Sequence, residues 1–114
     1  MTQLPPRIPR TKTDLSPARR RLVNLFLRIN FGRVENLIVR DGEPVFDPAT
    51  RVIREVKMAG GDNGIRSELL DDNYALRPQH LELMRVLDEV RDGTIPKLEC
   101  KHGVPFYGEV LEPV

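Results

Sequence analysis

The chain has 114 residues, of which 39% are hydrophobic and 31% charged, and it carries a net charge of +1 at neutral pH. This length and balance predict one domain with a modest core and a well-solvated surface. No apolar run approaches the roughly 20 residues of a membrane span, and residues 1–14 contain no apolar signal-peptide core, so no membrane partner is predicted. The single cysteine, Cys100, excludes an internal disulfide and favours a reducing cytoplasm.

The charge is distributed unevenly along the chain. Residues 1–33 hold eight basic side chains and one acidic side chain, a net charge of +7, whereas the remainder holds 10 basic and 16 acidic side chains. Residues 1–13 are rich in proline and arginine, so we predict a flexible basic N-terminal arm there. Such an arm suits nucleic acid, and it equally suits an acidic protein surface.

Residues 14–114 contain an ungapped internal repeat. Residues 15–45 align with residues 76–106, and seven of the 31 positions are identical. We therefore predict a single domain made of repeat 15–58 and repeat 76–111, joined by a loop over residues 59–75. The identical pairs are Leu15/Leu76, Pro17/Pro78, Leu22/Leu83, Gly32/Gly93, Leu37/Leu98, Gly42/Gly103 and Pro44/Pro105.

Each repeat begins with a predicted helix. Pro17 and Pro78 suit a first helical turn, where the missing N–H is not needed. Apolar residues then recur at helical spacing, and Gly32 and Gly93 are predicted to end the helices as C-terminal glycines. These apolar residues are Leu22, Leu25, Phe26 and Ile29 in the first repeat and Leu83, Val86, Leu87 and Val90 in the second.

A β-hairpin follows each helix, with Asp41-Gly42 at the first turn. A two-residue turn would place Val45 opposite Ile38. A three-residue loop with a left-handed glycine would place Val45 opposite Leu37 instead. Because the second register pairs apolar residues on one face, we predict the three-residue loop in both repeats.

In the second repeat this loop places Phe106 opposite Leu98. The register therefore fixes which side chains of both hairpins join the helices in the core. The residues predicted to be buried are Leu22, Phe26, Leu37, Val39, Val45, Leu83, Leu87, Leu98, Cys100 and Phe106.

The first repeat has an additional strand, predicted over Arg51–Met58 after an Asp-Pro turn. One helix and one hairpin bury too little surface to offset chain entropy, whereas two copies pool their sheets. The predicted fold class is therefore α+β. It consists of internally duplicated α-β-β units whose antiparallel sheet carries two helices on one face, with pseudo-twofold symmetry.

The phrase INFGRVENLIVRDGEPV, residues 29–45, combines a glycine between helix and strand with an Asp-Gly turn. In this respect the chain resembles the short bacterial YezD-like proteins, which are single helix-plus-hairpin units of uncharacterised function. The resemblance covers Leu22–Val45 and, more faintly, Leu83–Phe106. It implies a bacterial origin and a family without known activity, and it carries over no catalytic or binding residue.

No group of residues converges on catalytic or metal-binding chemistry, so we predict no enzyme activity, no metal and no cofactor. Cys100 aligns with Val39 on an inward strand face and is predicted to be a buried, inert thiol. His102 is predicted at a hairpin turn, and His80 on a helix surface. The loop Gly60–Gly64 lacks the lysine of a P-loop and the ligand spacing of an EF-hand, so ordinary turns are predicted there.

The first helix carries a basic stripe, with Arg21, Asn24 and Arg28 at i, i+3 and i+7. These arginines would contact phosphates while Asn24 hydrogen-bonds a base or a sugar. A solvated helix face that pairs with acidic side chains of the body is the alternative interpretation, and the second helix is acidic. The candidate nucleic-acid-binding residues are Arg19, Arg20, Arg21, Asn24, Arg28 and Arg33.

The sheet face that the helices leave open is the other candidate site. Strand alternation places several large apolar side chains on it, which favours self-association or a protein partner. The leading prediction is a non-enzymatic cytoplasmic binding or adaptor module of unknown target, and the runner-up is a nucleic-acid-binding protein that uses the basic arm and the first helix. The candidate interface residues are Ile38, Ile53, Tyr107 and Leu111.

Overall fold

A computed structural model describes residues 8–114. Two helices and a five-stranded antiparallel sheet confirm the predicted α+β class. Among the described residues, neither helix has the length and apolar character needed to cross a membrane. The elements are helix α1 at Pro17–Ile29, strands β1 at Gly32–Arg40, β2 at Glu43–Val45 and β3 at Arg51–Arg54, helix α2 at Pro78–Val90, strands β4 at Gly93–Lys101 and β5 at Val104–Glu109, and 3₁₀ turns at Lys12–Asp14 and Ser67–Leu70.

The element bounds follow the repeat. Both ends of α1 and β1 recur 61 residues later as the ends of α2 and β4, and β2 and β5 begin at equivalent positions. Non-standard backbone geometry recurs in the same way. The equivalent positions with positive φ are Asn30 and Arg91, Asp41 and His102, and Gly42 and Gly103.

The two central strands relate the repeats by a pseudo-twofold axis. Strand β1 pairs with β4 in antiparallel register, with Gly32 opposite Cys100 and Val39 opposite Gly93. Exchanging each residue for its equivalent in the other repeat converts the first of these pairs into the second. Strands β2 and β3 share the free edge of β1, and β5 lies on the far side of β4.

Each helix ends in a γ-turn, which sequence analysis did not foresee. After α1, Asn30 adopts φ 64° and ψ −60°, and the N–H of Phe31 donates to the carbonyl oxygen of Ile29 at 2.7 Å. Arg91 adopts φ 54° and ψ −67° after α2. Such positive-φ γ-turns are rare and strained. The prediction that glycines end the helices is wrong, because Gly32 instead begins β1.

The γ-turn of each repeat accepts a hydrogen bond from the hairpin of the other. The N–H of Gly103 donates to the carbonyl oxygen of Asn30 at 2.8 Å, and the N–H of Gly42 donates to that of Arg91 at 2.9 Å. Both glycines are buried, so these bonds satisfy backbone groups that would otherwise be desolvated without partners. The two repeats are therefore fastened to each other reciprocally.

The three-residue hairpin loop is wrong in both repeats. Asp41 and Gly42 have φ of 53° and 75°, as a two-residue type I′ turn requires, and Val45 pairs with Ile38. A type I′ turn matches the right-handed twist of the flanking strands, and this match outweighed the pairing of apolar residues across the hairpin. Val45 therefore lies on the open face and is 39% exposed, contrary to its predicted burial.

The second hairpin adds a bulge to the same two-residue turn. Pro105 pairs with Cys100, but the next pair along the strands joins Tyr107 to Glu99. Phe106 is the extra residue of the bulge and is 53% exposed, so its predicted burial is also wrong. The other eight residues predicted in the core are buried.

The N-terminal segment packs on the domain from residue 10 onwards. Thr11 forms an isolated antiparallel bridge with Ala75, and the N–H of Lys12 donates to the carbonyl oxygen of Tyr74 at 3.1 Å. The prediction of a flexible arm over residues 1–13 is therefore wrong for residues 10–13. Residues 1–7 of that arm lie outside the described residues.

Strand β3 is shorter than predicted, and its position depends on a glycine. It ends at Arg54 rather than at Met58 and pairs with the start of β1. Gly32 has φ 153°, and a Cβ there would lie 2.0 Å from the carbonyl oxygen of Ile53. Strand β3 approaches β1 this closely because residue 32 has no side chain.

We therefore expect Gly32→Ala to displace β3 and to lower the free energy of unfolding by more than about 1 kcal/mol. Urea denaturation measures the change. Gly64→Ala is the matched control, because a Cβ at Gly64 meets nothing within 4 Å. Equal midpoints for the two variants would contradict the close approach.

A second prediction concerns the faces of the sheet. Leu37 is fully buried in the core, so Leu37→Ala should cost about 2–5 kcal/mol of stability. Val45→Ala, on the open face, should cost well under half as much. Denaturant midpoints of the two variants compare these values, and a larger loss for Val45→Ala would contradict the observed register.

Candidate anion-binding groove

Four of the six candidate nucleic-acid-binding residues line one groove along α1. Arg20, Arg21, Asn24 and Arg28 form one wall of this groove, which has a volume of about 590 Å³. Apolar and polar side chains of the β2–β3 connection and its surroundings complete it. These are Pro17, Leu25, Phe46, Asp47, Thr50, Val52 and Leu69.

No described carboxylate forms an ion pair with the three arginines of this α1 groove, although Asp47 also lines it. Arg21 is exposed and its guanidinium lies 4.4 Å from the centroid of the Phe46 ring. Arg20 donates to the carbonyl oxygens of Lys12 and Leu15, at 3.2 and 3.3 Å. Within residues 8–114, ion pairs join neither of these arginines nor the exposed Arg28 to an acid. The groove is therefore electropositive.

Asn24 lines the groove, but its side-chain oxygen is occupied. It accepts a hydrogen bond of 2.9 Å from the Nζ of Lys12, which is only 1% exposed. That ammonium also donates to the carbonyl oxygens of Glu68 and Leu69, at 3.1 and 3.0 Å. Three acceptors stabilise the buried charge, so Asn24 has a structural role in addition to the base-reading role predicted for it.

The other two candidate nucleic-acid-binding residues lie outside the groove. The guanidinium of Arg19 donates to the carbonyl oxygen of Gly42 at 2.9 Å and pairs with Asp88, so it bridges the two repeats. Arg33 lies on the open face of the sheet, where it pairs with Glu35 at 3.0 Å. Helical spacing could not reveal these partners, because both come from outside α1.

Sequence reasoning missed two residues of the opposite wall. Phe46 covers Arg21, and the hydroxyl of Thr50 donates to the carbonyl oxygen of Asn36 at 2.9 Å, which positions the connection after β2. The Asp-Pro turn at residues 47–48 was the available signal, since it returns the chain towards α1. The apolar floor and the charged wall of the α1 groove therefore come together through a long-range contact between α1 and the β2–β3 connection.

The open face of the sheet carries ion pairs as well as apolar side chains. Cross-strand pairing places Arg33 and Glu99 between Ile53 and Tyr107 in one row. Glu99 pairs with a neighbouring lysine at 3.0 Å, just as Arg33 pairs with a glutamate. Charged side chains therefore separate these two predicted interface residues.

The remaining interface candidates lie apart from that row. Ile38 is half-buried between Val45 and Thr94, its cross-strand neighbours. Leu111 is 67% exposed and follows the end of β5. The geometry therefore favours the α1 groove over the open face as the candidate site.

The nucleophilic and titratable candidates each have contacts of their own. Burial raises the pKa of the Cys100 thiol to about 12, and its S–H lies 3.7 Å from the carbonyl oxygen of Asn30, so the thiolate is disfavoured. His102 sits at the hairpin turn with its ring edge-on to Phe31. Among the described residues, no cluster of three or more His, Cys, Asp or Glu is arranged to hold a metal.

His80 is buried, so the prediction of a surface histidine is wrong. Its Nδ1 accepts the N–H of Arg77 at 3.0 Å, and its ring lies edge-on to Tyr74. Desolvation by burial, assisted by the charge of Arg77, lowers the pKa of the imidazole to about 4. The ring is therefore neutral at physiological pH and caps the start of α2.

The Gly60–Gly64 loop is held by its own polar groups. The side-chain amide of Asn30 donates to the carbonyl oxygen of Asp62 at 2.9 Å. Asn63 both accepts from and donates to the backbone of Lys57, at 2.9 and 3.0 Å. These contacts are those of ordinary turns, and they fix the loop against the end of α1.

Comparison with known proteins gives no match among family models, curated proteins or solved structures. The resemblance to YezD-like proteins therefore stays a prediction.

The buried imidazole makes stability depend on pH. The pKa of His80 in the folded state lies below its ordinary value of 6.5, so the unfolded chain binds this proton first as the pH falls. We expect about 2 kcal/mol of stability to be lost between about pH 7 and pH 5. Urea midpoints across this range measure the loss.

The dependence of the urea midpoint on pH should become weaker in His80→Phe, whatever the absolute stability of that variant. His102→Gln is the matched control, because His102 is exposed at a turn, and this variant should keep the wild-type slope. A wild-type slope in His80→Phe would show that another group is responsible.

Proposed function

We propose that this protein is a non-enzymatic cytoplasmic binding module whose α1 groove holds an acidic, partly apolar segment of a partner protein. The observation that carries this proposal is the groove itself, in which arginines without described acidic partners stand above an apolar floor. The cytoplasmic assignment is supported by the single, buried, free cysteine.

The chemistry of the groove selects the class of partner. Arg21 and Arg28 can each form charge-assisted hydrogen bonds with a carboxylate. Val52, which is 42% exposed, supplies apolar surface in the same groove, on which aliphatic side chains can be desolvated. A ligand that uses both features combines acidic with aliphatic groups, as an amphipathic protein segment does.

Nucleic acid fits the same groove less well. Single strands bind largely by stacking bases on exposed aromatic rings, but the ring of Phe46 is covered by Arg21. The side-chain oxygen of Asn24 is engaged by Lys12, so only its second lone pair and its amide N–H groups remain for a base. The arginines alone would give sequence-independent phosphate binding.

The test measures fluorescence anisotropy of a labelled peptide that alternates glutamate with leucine, beside labelled mixed-sequence single-stranded and duplex oligonucleotides. The peptide should bind, and added salt should weaken it because the contacts are ionic. Arg21→Glu/Arg28→Glu should raise the Kd at least about tenfold, since both charges are reversed in the groove.

Arg40→Glu/Lys101→Glu is the matched control. These two residues are exposed, occupy equivalent positions in the two repeats and lie outside the groove, and the variant changes the net charge equally. It should bind the peptide nearly as the wild type does. Oligonucleotide binding that depends on Arg21 and Arg28, without peptide binding, would overturn the proposal in favour of a nucleic-acid-binding protein.

A further inference from the structure

A second groove lies between α2 and β5, at the position equivalent to the α1 groove. Its volume is about 220 Å³. Glu82 lines it where Arg21 lines the first groove, and Tyr107 replaces Phe46 in the same way. The lining residues are Gln79, Glu82, Leu83, Val86, Leu98, Pro105, Phe106, Tyr107, Gly108 and Val110.

The two grooves differ in the sign of their charge. Among the described residues that line this α2 groove, Glu82 is the only charged one, whereas three arginines and one aspartate, Asp47, line the α1 groove. Arg28 likewise has an acid, Glu89, at its equivalent position in the second repeat. Duplication of a unit would place equal charges at these positions, so the chain presents complementary surfaces where symmetry alone would present identical ones.

The reversed charges also match in spacing. Arg21 and Arg28 are seven residues apart on α1, and Glu82 and Glu89 are seven apart on α2. Seven residues span about 10.5 Å along a helix, so two ion pairs can form at once between α1 and an α2 laid beside it. Arg85 already pairs with both glutamates and holds their carboxylates in place, and each carboxylate retains further acceptor sites.

One chain cannot join its own two grooves. The α1 groove includes the β2–β3 edge of the sheet, and the α2 groove includes β5 at the opposite edge. Three strand spacings, about 14 Å, separate these edges. A contact between complementary surfaces on opposite edges is heterologous, and it joins copies head to tail.

Resting on the proposed function, we propose that the acidic segment bound by the α1 groove is the α2 ridge of a second copy of this chain, which includes Glu82, Glu89 and the apolar residues of the α2 groove. Exposed Phe106 and Val110, at 53% and 39%, lie beside that ridge and supply the aliphatic and aromatic surface that the floor of the α1 groove would cover. The assembly grows head to tail, because after one contact forms the first copy still has a free α2 ridge and the second copy still has a free α1 groove.

Sedimentation velocity of the full chain over a range of concentrations tests the proposal. The wild type should sediment as species that enlarge with concentration and revert to monomer in high salt. Arg21→Glu/Arg28→Glu and Glu82→Arg/Glu89→Arg should each be monomeric. Mixing these two variants should restore association, because each reversed surface then meets an opposite one.

Two further measurements keep the outcome decisive. All four substituted residues are exposed, and circular dichroism checks that the variants fold. Glu82→Gln/Glu89→Gln replaces the reversed α2 variant if three adjacent positive charges unfold α2, and it should weaken association at least about tenfold. A wild type that stays monomeric, a variant that still associates alone, or a mixture of reversed variants that does not associate would each overturn the proposal.

The glutamate-leucine peptide separates this inference from the proposed function. If the wild type binds the peptide through Arg21 and Arg28 but remains monomeric, the proposed function stands and the second copy is the wrong partner. If the peptide does not bind and the wild type is monomeric, both fail. Association that the free peptide inhibits supports both.

Discussion

The pair of hydrogen bonds between hairpin glycines and γ-turn carbonyls is the constraint on which the rest of the structure depends. Gly42 reaches Arg91 and Gly103 reaches Asn30, so each repeat satisfies a buried backbone group of the other. The bonds require a positive φ in both hairpins and in both γ-turns, which costs strain in each. A single helix-hairpin unit cannot make either bond within itself, and this is why the core spans both repeats.

The sequence predicted the elements that local signals specify. Three signals each act within a few residues: prolines in the first helical turn, the 3.6-residue apolar period and the Asp-Gly turn. The same signals recur at equivalent positions of both repeats, except that His-Gly replaces Asp-Gly in the second. The hairpin register was not predictable by apolar pairing, because the turn conformation decided it and moved Val45 outward. Asn30 carried a signal for the first γ-turn, since asparagine is enriched at positive φ, but Arg91 carried none for the second.

The candidate groove was predictable only in part. The α1 stripe follows from helical spacing, and Arg20, Arg21 and Arg28 do share one wall. The burial of Lys12 and His80 could not be foreseen, because the acceptors and the packing that surround each come from distant segments. Long-range contacts also supply the apolar floor, on which the proposal of a protein partner rests.

The symmetric register of β1 and β4 has a consequence for folding. The first repeat of one chain can pair with the second repeat of another chain through the same strands that it uses within its own chain. A dimer in which two chains exchange their second repeats therefore satisfies every cross-repeat bond. The effective concentration of one repeat at the other decides between the two states, and it depends on the connection between them. The length of the connection over residues 55–77 therefore influences the protein concentration at which exchange between chains would compete with pairing within one chain.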